Sequence, residues 1–159
     1  MTGMSYPALA QLHAAAGNPA PLKAFAPIMA PADPYRDWVF TNGAFALAFN
    51  IGWTTFIASE TARRAADAGV QVLVCDLAHG YLLGGFLSPL ANRRDDELGG
   101  SPEGRLRFPL RVVDAVRAAW PDDRPLWAAL TVTDWAAGGL EPEEAVAAAR
   151  ALTAHGCDL

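Results

Sequence analysis

The chain has 159 residues, of which 52% are hydrophobic and 18% charged, and its net charge at pH 7 is −5. That is enough for one ordinary core and too apolar for a disordered chain. The acidic balance, with no Lys/Arg-rich run interleaved with aromatics, excludes the electrostatics of nucleic-acid or anionic-membrane binding.

In chain order, Tyr6 to Ala16 reads as a helix ended by Gly17-Asn18-Pro19. Leu22 to Met29 reads as a short buried strand, and Ala30 to Asp37, with Pro31 and Pro34, as a loop. Gly43 to Ala68 is expected to be mostly helical and closed by Gly69. Its apolar stretch from Ala44 to Ala58 is short for a membrane span and interrupted by Asn50. Val70 to Cys75 is a β-branched run, expected as a buried parallel strand. A connection rich in glycine and arginine follows. Ser101-Pro102-Glu103 then opens a helix: a cap, a first-turn proline and an acid at the positive end of the dipole. Leu106, Leu110, Val113, Val116 and Trp120 recur at helical spacing. Leu126 to Val132 is the next strand, and Glu141-Pro142-Glu143 opens a helix ended by Gly156. Alternation of strand and helix implies crossovers and a parallel sheet, in a barrel arc or an open sheet.

Cys75 and Cys157 are too few for a disulfide framework and read as buried reduced thiols, which fits a cytoplasmic protein. No basic segment followed by an apolar run marks a signal peptide.

The middle of the chain carries a spaced series of distinctive residues. It runs through Ala78-His79-Gly80-Tyr81-Leu82-Leu83, Phe86-Leu87-Ser88-Pro89, Asn92-Arg93-Arg94, Asp96-Glu97, Gly99-Gly100-Ser101 and Thr133-Asp134-Trp135. Over residues 65–159 this series resembles the Old Yellow Enzyme family of flavin oxidoreductases. The pattern is nearest to the flavin-reductase halves of salicylyl-CoA and anthraniloyl-CoA hydroxylase-like proteins. The resemblance implies a (β/α)₈ barrel, FMN as cofactor, NAD(P)H as reductant and a small activated alkene as substrate. It also implies that a residue just after a barrel strand reaches the face where the chemistry occurs. In the family a His or Asn pair three positions apart binds the substrate's oxygen, and a tyrosine two positions later supplies a proton. His79 matches the second member of the pair, and Tyr81 the proton donor. Asp76 takes the place of the first member, where an ionised carboxylate accepts rather than donates. Ala129 stands where the family usually carries an arginine, and Leu98 and Gly104 replace the usual Tyr and Asn.

The first third is different. Gly3-Met4-Ser5-Tyr6-Pro7-Ala8, Asp33-Pro34-Tyr35-Arg36-Asp37-Trp38 and Phe49-Asn50-Ile51-Gly52-Trp53 resemble a piece of the cocaine esterase/X-prolyl dipeptidyl peptidase group of α/β-hydrolases, over residues 1–58. There a Gly-x-Ser-Tyr turn lifts the nucleophile above the sheet, so Ser5 matches a nucleophile. The base and orienting acid that activate such a serine have no counterpart in this segment.

The sequence therefore predicts an α/β chain made of two incomplete pieces: a hydrolase-like fragment at 1–58 and a partial barrel segment at 65–159. Three functions follow as expectations: a truncated FMN-dependent oxidoreductase, a serine hydrolase-like fragment, and a non-catalytic composite. Partial folds leave strand edges open, so a homo-oligomer covering those edges is expected. No metal site is expected.

Overall fold

The computed structural model describes residues 2–4, 16, 26–28, 40–41, 44–45 and 47–158. The chain divides into two compact units, 1–50 and 51–159.

In the first unit, strand β1 (Thr2–Met4) pairs in parallel with β2 (Ala26–Ile28), Gly3 opposite Pro27. β2 falls inside the expected strand from Leu22 to Met29. β1 has no counterpart among the expected elements; it runs directly toward Ser5, which itself lies outside the described residues. Strands β3 (Phe40–Thr41) and β4 (Ala44–Phe45) are antiparallel. The intervening sequence is Asn42-Gly43, the pair most favoured in two-residue hairpin turns. β4 occupies two positions expected to be helical. Of the helix expected over Tyr6 to Ala16, only Ala16 is described, and it is helical. The expected loop from Ala30 to Asp37 lies outside the described residues.

Helix α1 (Leu47–Asp67) continues into the second unit. Gly69, at φ 82°, turns the chain out of it, and the Val70 amide donates to the Ala65 carbonyl. Among the described residues no helix is long and apolar enough to cross a membrane.

The second unit is built on a parallel pair, β5 (Leu73–Leu77) and β6 (Leu126–Leu130), with Leu73 opposite Leu126 and Leu77 opposite Leu130. β5 starts three residues later than the β-branched run suggests. Val70 and Val72 are exposed, while Cys75 and Leu77 are buried, so burial selects the later register. Helix α2 (Leu82–Leu87) lies in the connection rich in glycine and arginine, where no helix is expected. Helix α3 (Pro102–Ala119) follows, then β6 and α4 (Pro142–Ala154). The expected cap is present: the Ser101 hydroxyl accepts from the Gly104 amide at 3.1 Å, with Pro102 in the first turn. Helix α2 packs on β5, α4 packs on β6, and α3 packs on both α2 and α4.

Side-chain alternation gives the sheet two unlike faces. Cys75, Leu77 and Leu126 are buried on the helix-covered face. Val74 and its cross-strand partner Trp127 are 51% and 47% exposed on the other. Asp76 and Ala129, the next pair along, share that open face. After α4 the chain returns beside β6: the Asp158 amide donates to the Leu126 carbonyl at 2.7 Å, and the Leu126 amide donates to the Asp158 carboxylate at 2.8 Å. β5, β6 and this returning segment thus neighbour one another in chain order, as strands do around a barrel.

The loop before α3 is unusually close to the helix. A Cβ on Gly104 would lie 2.2 Å from the Gly99 carbonyl oxygen. Gly→Ala inside a helix normally gains about 0.5–1 kcal/mol. Here the clash with backbone is expected to reverse the sign, and Gly104→Ala should lose about 1–3 kcal/mol, as overpacking does. Urea denaturation followed by helix ellipticity checks this; a variant more stable than the parent would show that the loop yields freely.

Burial pushes the Cys75 thiol up to about 11, with Cys157 nearby as a lesser cause. Cys157 is raised too, again chiefly by burial. Both are free and buried, as the sequence suggests, and such thiols are poor nucleophiles.

Candidate functional site

The chemistry-bearing residues gather where β5 and β6 end. β5 closes at Leu77, and Ala78 is buried behind it. His79 and Gly80 then take left-handed conformations, φ 57° and 71°, which turn the chain back so that the Tyr81 amide donates to the Ala78 carbonyl at 3.2 Å. Histidine in that region is uncommon and costs some backbone energy. The turn is fastened by Asp76. One carboxylate oxygen accepts from the Ala78 amide at 2.8 Å, and the other lies 3.4 Å from His79 Nδ1. The His79 and Tyr81 rings meet edge to face, centroids 6.2 Å apart. Tyr81 caps α2 and is 64% exposed. The three residues singled out from the sequence are therefore brought together.

The loop after β6 lies across from them. Asp134 bridges two segments: its carboxylate accepts from the Ser88 hydroxyl at 2.6 Å and from the Leu140 amide at 2.8 Å. Trp135 adopts φ 55° and is 92% exposed, its amide donating to Thr133 Oγ1. A hollow of about 170 Å³ lies between the loops, lined by Leu77, Gly80, Gly84, Ser88, Thr131 and Asp134. The Ser88–Asp134 bond joins residues 46 apart, and no local pattern announces it. Ser88 and Asp134 both stand in the family-like series, but neither has a role assigned from sequence.

The charged connection after Ser88 is a fixed loop. Asn92 Nδ2 donates to the carbonyls of Phe86 and Leu98 at 2.9 and 2.8 Å. Arg94 pairs with Asp96 and holds that carboxyl below the usual carboxylate range. Arg105 is buried and fully engaged. It donates to the carbonyls of Leu87 and Gly100 and to Glu144, at 2.8, 2.9 and 2.9 Å.

These features decide whether the described residues suit FMN. FMN is an anion, yet residues 78–81 and 131–135 contain neither Lys nor Arg. The acidic side chains there are Asp76 and Asp134, and Ala129 supplies no cation on the open face. The described residues do not by themselves fit FMN. Nor do they include any group of three or more His, Cys, Asp or Glu that could hold a metal ion. What they offer is a hydrogen-bonding imidazole, a phenol and a carboxylate on one strand end.

Known proteins share these stretches of sequence and fold. The family described as NADH:flavin oxidoreductase / NADH oxidase matches residues 55–159, and the X-Pro dipeptidyl-peptidase (S15) family matches residues 1–85. An NADPH dehydrogenase of Geobacillus sp. (strain WCH70) is 46% identical over 98 residues, covering 62% of this chain and 28% of that enzyme. The NADPH dehydrogenase of Bacillus subtilis (strain 168) is 41% identical over 100 residues, 63% of this chain and 29% of the enzyme. The chain thus spans under a third of the length of these relatives. Among solved structures, a 2-naphthoyl-CoA reductase complex aligns with a TM-score of 0.65 at 31% identity, covering 68% of this chain and 16% of that one. Morphinone reductase in complex with tetrahydroNAD aligns at 0.60 and 32% identity, covering 72% and 32%. The parallel strands are therefore an incomplete (β/α)₈-barrel segment preceded by a hydrolase-like fragment. The chain belongs to the NADH:flavin oxidoreductase / NADH oxidase family through residues 55–159 and to the X-Pro dipeptidyl-peptidase (S15) family through residues 1–85, the two stretches sharing 55–85.

Proposed function

We propose that the chain acts as part of an FMN-dependent NAD(P)H oxidoreductase of the ene-reductase type, and that it supplies the substrate side of the site. The observation that carries this is the Asp76–His79–Tyr81 turn at the C-terminal end of a parallel strand, where barrel enzymes place their chemistry. Tyr81, exposed at the mouth, is the proton donor to a small substrate. His79 and Asp76 bind the substrate's polar head. On this reading the change from the hydrolase-like piece (1–58) to this segment (65–159) falls within helix α1. Buried reduced cysteines suit a cytoplasmic setting.

The described residues do not hold FMN alone, so the rest of the cradle comes from polypeptide covering the open face, in a homo-oligomer. The exposed Val74–Trp127 pair marks where that cover sits. Titrating purified protein with FMN, with absorbance and light scattering read together, tests this. The expected result is a bound flavin band that appears only in the assembled species, is bleached by NAD(P)H, and yields an alkene-reducing activity at least about 100-fold lower in Tyr81→Phe, the lower bound for a positioned proton donor. A monomer that ignores FMN sinks the reading.

One observation favours a second reading, a serine hydrolase: β1 leads straight to Ser5 within the stretch matching the S15 family. A fluorophosphonate label absent from Ser5→Ala would support it, and an unlabelled parent chain would remove it.

A further inference from the structure

We infer that Asp76 is a positioning residue that fixes His79 in the Nδ1–H form, so that the open face receives a hydrogen-bond donor from its ligand rather than an oxyanion. This rests in part on the proposed substrate side of the site, and it narrows that side to substrates that carry a hydrogen-bond-donating head, a hydroxyl, apart from the group that activates the alkene.

The geometry is local and specific. Asp76 Oδ1 is held by the Ala78 amide at 2.8 Å, which fixes the rotation of the carboxylate. That leaves Oδ2 directed at His79 Nδ1, 3.4 Å away. A carboxylate has no proton to give. When the imidazole is neutral, the shared proton must therefore sit on Nδ1, and Nε2 keeps its lone pair. A hydrogen bond at one ring nitrogen decides what the other can do. The left-handed backbone at His79 holds the ring over its own turn, within reach of Asp76.

The pair is exposed, the His79 side chain at 72% and that of Asp76 at 41%, so it adds little to stability. Choosing between two nitrogens of one ring demands far less. The result is a strand end whose imidazole and carboxylate both accept. The loops at 78–81 and 131–135 add no Lys or Arg, and the carboxylate of Asp134 lies in the second of them. An anionic or carbonyl head meets no fixed donor from Asp76 or from neutral His79. A phenolic hydroxyl can donate to Nε2 while its ring stacks beside Tyr81.

Nitrogen NMR of the intact chain tests this at about pH 8.5, two units above the ordinary imidazole value. The His79 resonances are identified by their loss in His79→Gln. The parent should show Nδ1–H as the major form. In Asp76→Asn the amide oxygen can keep the bond from Ala78, while the amide nitrogen donates to Nδ1. The Nδ1–H to Nε2–H ratio should then fall by about threefold or more, the scale of an exposed pair. That isosteric change preserves the turn, so a fall cannot be ascribed to unfolding while the far-UV dichroism is unchanged. Phenol should shift the His79 Nε2 resonance of the parent, and benzoate should not. An Nε2–H majority in the parent, an unchanged ratio in Asp76→Asn, or equal responses to phenol and benzoate would each overturn the inference. The tautomer is read without flavin, so its failure and the failure of the oxidoreductase reading are separate results.

Discussion

Phe108→Ala is expected to be the most damaging single change in residues 51–159, costing about 3–5 kcal/mol. Phe108 is 1% exposed, and its ring packs on that of Phe86 with centroids 4.6 Å apart at 56°. It belongs to α3, and Phe86 to α2, so the contact joins α2, which packs on β5, to α3. Losing the ring removes apolar burial and leaves a cavity between α3 and α2, a helix of only six residues. A domain of this size holds about 5–15 kcal/mol in total. Guanidinium unfolding should therefore move to a much lower midpoint. Phe108→Leu keeps most of the volume and should lose less than half as much. Equal midpoints for the alanine variant and the parent would show that this helix pair is not part of the cooperative unit.

The second large effect is expected at Arg105. Its ion pair with Glu144 is only part of the account, since Glu144 is 31% exposed and pairs of that kind are worth about 1 kcal/mol or less. The heavier loss comes from the buried Leu87 carbonyl, which Arg105 satisfies from a position 5% exposed; the Gly100 carbonyl, on an exposed residue, adds less. A buried acceptor left without a partner costs about 1–3 kcal/mol. Arg105→Leu should thus lose about 2–4 kcal/mol. Glu144→Gln, which keeps an acceptor, should lose about 1 kcal/mol or less. Arg105→Lys cannot reach all three acceptors with one ammonium and should fall nearer to leucine than to the parent. Thermal melts of the three variants order them; a Glu144→Gln loss as large as that of Arg105→Leu would shift the weight back to the ion pair.

The contrast between what the sequence disclosed and what it hid follows the range of the interactions. Ser101-Pro102-Glu103 announced α3 because a helix start is written in adjacent residues, and the hydroxyl bond to Gly104 realises it. Glu141-Pro142 did the same for α4. The parallel pairing of β5 and β6 followed from the helix between them. α2 stayed hidden because it is short and carries Gly84-Gly85, residues that ordinarily argue against a helix. The structure supplies the reason for Gly84: a Cβ there would sit 2.8 Å from the Leu77 carbonyl oxygen, so only glycine lets α2 lie this close to β5. The start of β5 was misplaced because β-branching marks strand tendency, while the register is set by which residues the helices bury.

The site shows the same division. Asp76, His79 and Tyr81 were legible because they lie within six residues and one turn gathers them. The Ser88–Asp134–Leu140 link was not, because it joins two loops that only the sheet brings together. Ser5, the other residue singled out, lies outside the described residues.

The edge of β5 has a consequence for how the protein behaves in concentrated solution. Val70-Gln71-Val72-Leu73-Val74-Cys75 carries no charge and no proline, and its three valines are all exposed. A run of that composition is a template for cross-β stacking. In the proposed homo-oligomer the cover over this strand would also keep the chain colloidally stable, and unassembled protein would be the pool that seeds fibres.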